Sequence, residues 1–368
     1  MSLCLRSPLV ARLSGSSWEK RPTAFPTMLA IRPNHTTSSS MRKFTQKSLQ
    51  DPKLSFAGRT ILVTGANSGL GFEAASKFTV LGASRVILGV RSLEKGAETQ
   101  NFIEKRTGKL GIVEPWHLDM NDYGSVRNFA THASTELDQL DIVVLNAGVF
   151  SVNYRPSLYG WEETLQVNLL STAYLALLIL PKLRASPHTS LLEFVSSRRH
   201  EVLNISDEQK IAPNLLEKFN SPSNFKSSQQ YQVSKRFLIC FMQALASLVN
   251  PTYDGVTIMA VCPGYCQSNL SRGHTGISAA ILRGLLNTFV LRTAEQGSRT
   301  FVSGAALGPE AHGKFWYDDG IHETSANPAS GPDEDQFKWR VWKEIVEALE
   351  KDLPEITNSV KLLEETKA

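Results

Sequence analysis

Two stretches of the sequence carry side chains that could do chemistry together. Tyr231 and Lys235 stand four residues apart, which puts them on one face of a helix, where the ammonium can lower the pKa of the phenol. Far upstream, residues 60–71 run from a β-branched strand through a glycine turn into a helix beginning near Phe72. The unpaired N–H groups at such a helix start bind phosphate. A phosphate cradle and a proton relay on one chain predict an oxidoreductase of carbonyls and alcohols.

Three glycines shape the predicted cradle. Gly65 would permit the tight turn, Gly69 the close approach of a pyrophosphate, and Gly71 the contact between helix and sheet. A purely structural turn is the alternative, but a strand before the turn and a helix after it favour dinucleotide binding. The remaining candidate binding residues of this loop are Asn67, Ser68 and Leu70.

Arg91 follows the second predicted strand, where an acidic side chain would hydrogen-bond a ribose diol. A guanidinium at this position suits a 2′-phosphate, so the sequence favours NADP(H) over NAD(H) as the cofactor. The alternative is a solvated surface arginine.

The glycine turn has the form Thr-Gly-x3-Gly-x-Gly, and with it the chain resembles the short-chain dehydrogenase/reductase family. The resemblance covers residues 56–317. Within the family, the chain is similar to the retinol-dehydrogenase-like and WW-domain-oxidoreductase-like branch, which includes fungal enzymes that tailor secondary metabolites. Three features carry this similarity: Arg91, the long interval that separates the candidate serine from Tyr231, and the segment 307–313.

The resemblance implies a role for further residues. Ser197, at the end of the fifth predicted strand, would hydrogen-bond the substrate oxygen, and Ser196 competes with it for this role. Tyr231 would transfer the proton, Lys235 would hold the phenolate and the nicotinamide ribose, and Asn168 would anchor a water beside the lysine. Four further positions match cofactor contacts of the family: Asp119, Asn146, Gly264 and Ser268. Asp119 could equally cap a helix, and Asn146 would brace the fourth strand. Gly264 follows Pro263.

From residue 59 onward, apolar strand-like runs alternate with helix-length segments, the pattern of βαβ units. We therefore expect an α/β protein with a single Rossmann-type doubly wound parallel sheet flanked by helices, over residues 51–325. Residues 1–50 read as a disordered leader, and 326–368 as a linker followed by a C-terminal helix. That helix carries one apolar stripe, which is typical of a helix that covers the core. The stripe consists of Phe337, Val341, Ile345 and Leu349.

Charge and composition exclude several classes. The formal net charge is +4. Eight lysines and arginines precede Asp51, and the single acid among those residues is Glu19, so the excess positive charge lies in the leader and no nucleic-acid partner is predicted.

No run reaches the ~20 apolar residues of a membrane span. The four cysteines show no metal-ligand spacing beyond a lone Cys-x3-Cys and no disulfide density; we expect no metal site and treat Cys262 and Cys266 as packing residues. These features predict a cytoplasmic protein, with mitochondrial import through the leader as the alternative.

The combined prediction is an NADP(H)-dependent oxidoreductase that interconverts a secondary alcohol and a ketone. The apolar segment 277–290 suggests a lipophilic small-molecule substrate, although core or dimer packing would explain it equally. The family resemblance implies a homodimer paired through residues 161–184 and 229–249. The alternative function is a dinucleotide-sensing binding protein without turnover, against which the full Ser, Tyr, Lys and Asn set argues.

Overall fold

The computed structural model describes residues 49–50, 52–203, 205–206, 211, 213–266, 291–322 and 332–365. The predicted leader up to residue 48, the apolar segment 277–290 and Ser268 lie outside the described residues, as does most of the predicted linker.

An eight-stranded sheet forms the centre of the protein. Its strands are β1 (Thr60–Thr64), β2 (Arg85–Val90), β3 (Val113–His117), β4 (Ile142–Leu145), β5 (Ser190–Val195), β6 (Val256–Val261), β7 (Phe315–Tyr317) and β8 (Gly320–His322). The helices are α1 (Gly69–Val80), α2 (Leu93–Thr107), α3 (Tyr123–Glu136), α4 (Glu163–Arg184), α5 (Leu215–Asn220), α6 (Ser227–Leu248), α7 (Pro251–Asp254), α8 (Ala294–Gly304), α9 (Pro332–Asp352) and α10 (Ile356–Glu365).

The strand order is β3-β2-β1-β4-β5-β6-β7-β8, and every neighbouring pair up to β7 is parallel. Helices cover both faces of the sheet, and for this reason the inner strands are continuous apolar runs rather than alternating ones. The predicted fold class is confirmed. The order reverses between β1 and β4, so the carboxyl ends of these two strands flank the crevice in which ligands of such sheets bind.

Strand β8 was not predicted from the sequence. It pairs antiparallel with β7 across Asp318 and Asp319, which both have positive φ angles of 50° and 52°. A two-residue hairpin loop needs this backbone, and aspartate tolerates it better than most residues. The Asp-Asp-Gly sequence was therefore a readable hairpin signal.

Helix α4 begins two residues later than predicted and contains a π-helical stretch, Gln166–Leu170. Among the described residues it is the one helix long and apolar enough to cross a membrane, but 89% of its apolar window is buried inside the protein, as in any core helix. The π stretch is the kind of irregularity that often accompanies a functional residue.

Both ends of the predicted catalytic region differ from expectation. Leu49, assigned to the leader, is buried, and its carbonyl accepts a hydrogen bond from Arg299 Nη1 at 3.0 Å. The predicted single C-terminal helix is two helices, α9 and α10, interrupted at Pro354. Their apolar residues, including the predicted stripe, belong to the same core cluster as α4 and α6.

Glu193 is an unpaired carboxyl in the middle of β5. It has no exposed surface, and neither side-chain oxygen has a hydrogen-bond partner among the described residues. Burial raises the pKa of Glu193 well above its ordinary value of 4.5, because the anion would lose its hydration. The folded protein thus retains a proton that the unfolded chain releases above that ordinary value.

This linkage predicts a pH-dependent stability. The contribution of Glu193 to stability is greatest below its ordinary pKa and falls as the pH rises toward the raised value, by about 1.4 kcal/mol per pH unit. Glu193→Gln should remove this slope in urea unfolding measured across the pH range, whereas Glu98→Gln, at an exposed position, should retain it. Parallel curves for Glu193→Gln and the wild type would contradict a neutral, unpaired Glu193.

Candidate active site

The glycine turn after β1 has the geometry of an anion cradle. Gly65 and Gly69 adopt positive φ angles of 65° and 59°, and a Cβ on Gly69 would meet no atom within 4 Å, so the surface above it is open. A Cβ on Gly71 would lie 2.6 Å from the Gly65 carbonyl oxygen, which explains why glycine is needed there. Helix α1 begins at Gly69, earlier than the predicted start near Phe72, and Ser68 is the non-helical residue that precedes it.

The start of α1 leaves its first N–H groups free to face a phosphate. The Ser68 side chain, within the described part of the chain, makes no capping hydrogen bond, and the first turn of the helix contains no acidic residue. Leu70 turns its side chain into the core, so it can contribute only its backbone to this cradle. The Asn67 carbonyl accepts a hydrogen bond from Thr99 Oγ1 at 3.5 Å, which ties the turn to α2.

Asn146 joins the two strands that flank the crevice. Its Nδ2 donates to the Thr64 carbonyl at 2.8 Å, and the Ala147 N–H donates to Thr64 Oγ1 at 2.9 Å. The carboxyl ends of β1 and β4 are therefore fixed to each other beside the glycine turn. This geometry matches the bracing role that the resemblance implies for Asn146.

Arg91 and Asp119 end two neighbouring strands at the same edge of the sheet. Arg91 lies two residues beyond Gly89, the register partner of Thr64, and its side chain is exposed. The Asp119 carboxylate accepts the Asn121 N–H at 3.0 Å, whereas the cap of α3 is Asp122. The alternative that Asp119 caps this helix is therefore wrong.

Tyr231 lies on the first turns of α6, facing the end of β5. The Ser197 side chain lies near its phenol and lowers the phenol pKa, while the Ser197 hydroxyl accepts the Arg199 N–H at 3.3 Å. Ser196 points elsewhere, because it is buried and its Oγ faces the Lys235 carbonyl at 3.5 Å. The structure thus brings Ser197, and not Ser196, to the phenol.

Burial changes the expected acidity of the Tyr231–Lys235 pair. It raises the pKa of Tyr231 to about 12 and lowers that of Lys235 to about 8, since each charged form loses hydration. The net shift of the phenol pKa is therefore upward, opposite to the lowering that the ammonium alone would give. Lys235 Nζ lies 5.8 Å from the phenol ring centroid and donates to the Val195 carbonyl at 2.8 Å, so the cost of burial outweighs its attraction.

Asn168 lies in the π stretch of α4 and is buried. Its Oδ1 accepts the Val149 N–H at 2.8 Å, and its Nδ2 donates to the Val149 carbonyl at 2.9 Å and to Ser234 Oγ at 3.2 Å. The side chain therefore clamps the loop after β4 against α6, one turn from Tyr231. Its water-anchoring role stays a prediction.

Gly264 follows β6 with a positive φ of 81°, as a tight turn at the crevice requires. Arg292 supports this turn, and no sequence motif predicted that role. Its Nη1 donates to the Pro263 carbonyl at 3.0 Å and its Nη2 to Asp318 Oδ1 at 2.6 Å. Ser268, predicted to contact the cofactor, lies outside the described residues.

Two further neighbours of Tyr231 were not predicted from the sequence to lie beside it. The Phe150 ring lies 5.4 Å from the phenol ring, between the anchored residues Val149 and Ser151. A thiolate at Cys262 would lie close enough to affect the pKa of both Tyr231 and Lys235. Burial raises the pKa of the Cys262 thiol, which keeps it neutral. Among the described residues, no three His, Cys, Asp or Glu side chains group as a metal site would require.

These features define a class of protein. An open phosphate cradle lies at the reversal point of a parallel sheet, and a phenol, a hydroxyl and an amine converge at the carboxyl end of β5. This combination is the equipment of a nicotinamide-dinucleotide-dependent oxidoreductase.

Comparison with known proteins gives the family. The short chain dehydrogenase profile matches residues 59–203. The chain is 42% identical over 311 residues to the short-chain dehydrogenase/reductase phmF of Phaeosphaeria nodorum, covering 82% of this chain and 90% of that protein. It is 40% identical over 324 residues to ffsI of Aspergillus flavipes, covering 86% and 92%. The chain belongs to the short-chain dehydrogenase/reductase family and is an oxidoreductase of CH–OH groups.

Solved structures agree on the fold. A protein from Mycobacterium paratuberculosis, 26% identical, superposes with a TM-score of 0.59 over 80% of this chain and 94% of its own. A short chain oxidoreductase from Pseudomonas aeruginosa, 17% identical, superposes with a TM-score of 0.56 over 71% and 95%. The family comparison indicates a nicotinamide dinucleotide cofactor, which the open glycine cradle fits.

Proposed function

We propose that this protein is an NADP(H)-dependent oxidoreductase that interconverts a secondary alcohol and a ketone on a lipophilic small molecule. The observation that carries the proposal is the Tyr231 phenol, which lies near Ser197 and 5.8 Å from Lys235 Nζ, measured to the ring centroid, beside the reversal point of the sheet. When bound, the dinucleotide supplies the hydride at its nicotinamide ring. The residues that would hold it are the glycine turn, Arg91, Asp119, Asn146, Lys235 and Gly264.

The protein's own groups handle the proton. A phenol with a pKa of about 12 is protonated at neutral pH and can donate to a substrate oxygen. Ser197 would orient that oxygen by a second hydrogen bond. Lys235, with a pKa of about 8, can carry a positive charge that stabilises the phenolate formed by the donation. These protonation states suit reduction of a ketone at neutral pH.

Arg91 supports the preference for NADP(H). Loss of a charge-assisted hydrogen bond to a phosphate costs enough to weaken binding by about 10- to 100-fold. Arg91→Gln should raise the Kd for NADPH by that factor in a fluorescence titration and leave the Kd for NADH almost unchanged. Lys105→Gln, which removes an exposed cation at the far end of α2, is the control. Equal NADPH affinity in Arg91→Gln and the wild type would make Arg91 a surface arginine.

The lipophilic substrate is supported by apolar side chains on the loops that follow β4, β5 and β6. Phe150 lies against Tyr231, Val202 is 58% exposed and Tyr265 is 53% exposed. Loops at the carboxyl edge of a parallel sheet form the walls of its ligand crevice. Apolar walls there favour an apolar substrate.

Phe150→Ser should lower kcat/KM for aryl ketones by about tenfold or more, because a buried aromatic contact contributes a few kcal/mol to binding. The readout is the loss of NADPH absorbance with matched aryl and short aliphatic ketones, and the aliphatic ones should be much less affected. Phe102→Ser, at a ring on α2 that is 58% exposed, is the matched control. An equal loss for both ketone classes would remove Phe150 from substrate recognition.

The direct test of the proposed function uses the purified full chain with NADPH and a ketone panel. We expect NADPH oxidation that depends on an added lipophilic ketone, with the corresponding alcohol as product. Tight NADPH binding without turnover of any ketone or alcohol would contradict the proposed function.

A further inference from the structure

Helix α9 is packed along the outer side of α6, the helix that carries Tyr231 and Lys235. The Phe337 ring lies 6.2 Å from that of Phe237, and Trp342 stacks on Phe241 at 5.1 Å with an interplanar angle of 18°. Each of the two α9 rings is only 3% exposed. The outer apolar surface of α6 is therefore already occupied.

An ion pair joins the two helices next to the candidate catalytic lysine. Arg236, the residue after Lys235, pairs with Glu334 of α9, and its guanidinium also lies 5.8 Å from the centre of the Phe337 ring. The Arg236 side chain is only 7% exposed. Because a buried cation without its partner is costly, this pair fixes the register of α9 on α6.

The same C-terminal segment also reaches α4 and the residues just before it. Trp161, just before this helix, donates from Nε1 to Asp352 Oδ2 at 3.2 Å, and the Tyr174 hydroxyl donates to Glu355 Oε1 at 3.3 Å. Helix α10 closes on α9 through Trp342 Nε1, which donates to Glu364 Oε1 at 3.2 Å. Of the two helices through which the family resemblance implied pairing, α6 is thus covered by this segment of the chain itself, and α4 is joined to it by a hydrogen bond.

The outward side of α9 differs in character from its inward side. Gln336, Lys343 and Glu347 are exposed and polar, whereas the stripe facing α6 is buried. Apolar surface drives subunit association, and this side of α9 presents a row of polar groups to water instead.

We propose that α9 and α10 take the place of a second subunit on α4 and α6, so that the working catalytic unit is a single chain whose Tyr231–Lys235 helix is held by its own C-terminal segment. Phe337 and Glu334 are then positioning residues. The inference goes beyond the proposed function, since it concerns what holds the catalytic helix rather than the reaction.

The first test is sedimentation equilibrium of the full chain over a wide concentration range, with and without NADPH. We expect the mass of one chain, 40.6 kDa, throughout, and a specific activity that does not depend on concentration. A dimer mass, or a specific activity that rises with concentration, would overturn the proposal. NADPH binding, measured on the same samples, reports separately on the proposed function.

A pair of adjacent substitutions gives the second test. Phe337→Glu places a charge against Phe237, and we expect it to release α9, expose α6, cause self-association and abolish most turnover. Gln336→Glu introduces the same side chain at an exposed position and should remain a monomer with wild-type turnover. A monomeric, fully active Phe337→Glu protein would overturn the positioning role. If that variant fails to fold, the sedimentation result on the wild type still decides the proposal.

Discussion

Tyr231→Phe is expected to lower turnover by about 10²- to 10⁴-fold while leaving NADPH binding nearly unchanged. The substitution removes only the hydroxyl next to Ser197, and the ring that packs against Phe150 remains. Loss of a positioned general acid has an effect of this size. The measurement is the rate of NADPH oxidation with a ketone, together with a fluorescence titration of NADPH.

Tyr154→Phe is the matched control for this substitution. Tyr154 lies on the loop that follows β4, and its ring contacts Phe225, just before α6. Its hydroxyl lies near the site, but we assign this hydroxyl no part in the proton transfer. The variant should therefore turn over at the wild-type rate. If Tyr231→Phe were as active as Tyr154→Phe, the proton would come from another group.

Gly71→Ala is expected to weaken NADPH binding by about tenfold or more and to destabilise the fold by about 1–3 kcal/mol. The new Cβ would lie 2.6 Å from both Asn146 Nδ2 and the Gly65 carbonyl oxygen. Either the turn must open or Asn146 must release Thr64, and both responses disturb the cradle. The measurements are the Kd for NADPH and urea unfolding of the same preparation.

Gly111→Ala separates the effect of the cradle from that of a general loss of stability. Gly111 has a positive φ of 69° in a surface loop, and its Cβ would meet no atom within 4 Å. This variant should lose a little stability through backbone strain and retain full NADPH affinity. If Gly71→Ala likewise bound NADPH as tightly as the wild type, the turn would have no part in cofactor binding.

Local spacing was enough to predict the glycine turn. The need for glycine at positions 65, 69 and 71 follows from chain geometry over seven residues, and the structure shows positive φ or close contact at each of them. The alternation of strand-like and helix-length segments similarly predicted the parallel sheet, because a parallel connection needs a crossover helix. The family prediction, which depended on these motifs in order, is confirmed by the relatives.

The sign of the phenol pKa shift could not be read from the sequence. Spacing places Lys235 one turn from Tyr231, but the shift depends on how much water the fold removes and on where the ammonium points. Here burial dominates, and Nζ faces the Val195 carbonyl. Burial is a tertiary property, and no four-residue pattern contains it.

Contacts between distant segments were the other hidden feature. The apolar stripe of α9 predicted a core cap, yet nothing in its sequence showed that it would cover α6 in particular. Arg292 supports the turn before Gly264 from 29 residues away, and its pairing with Pro263 has no local signature. The π stretch around Asn168, whose Oδ1 accepts the Val149 N–H, was likewise not predicted from the sequence.

One measurement tests the central claim most directly. Purified wild-type protein and Tyr231→Phe are incubated with a lipophilic ketone and NADPH that carries deuterium at both C4 positions of the nicotinamide ring, and the alcohol product is analysed by mass spectrometry. The account predicts deuterium on the carbinol carbon with the wild type and almost no labelled alcohol with Tyr231→Phe. Unlabelled product, or equal labelling by the two proteins, would contradict hydride transfer assisted by this phenol.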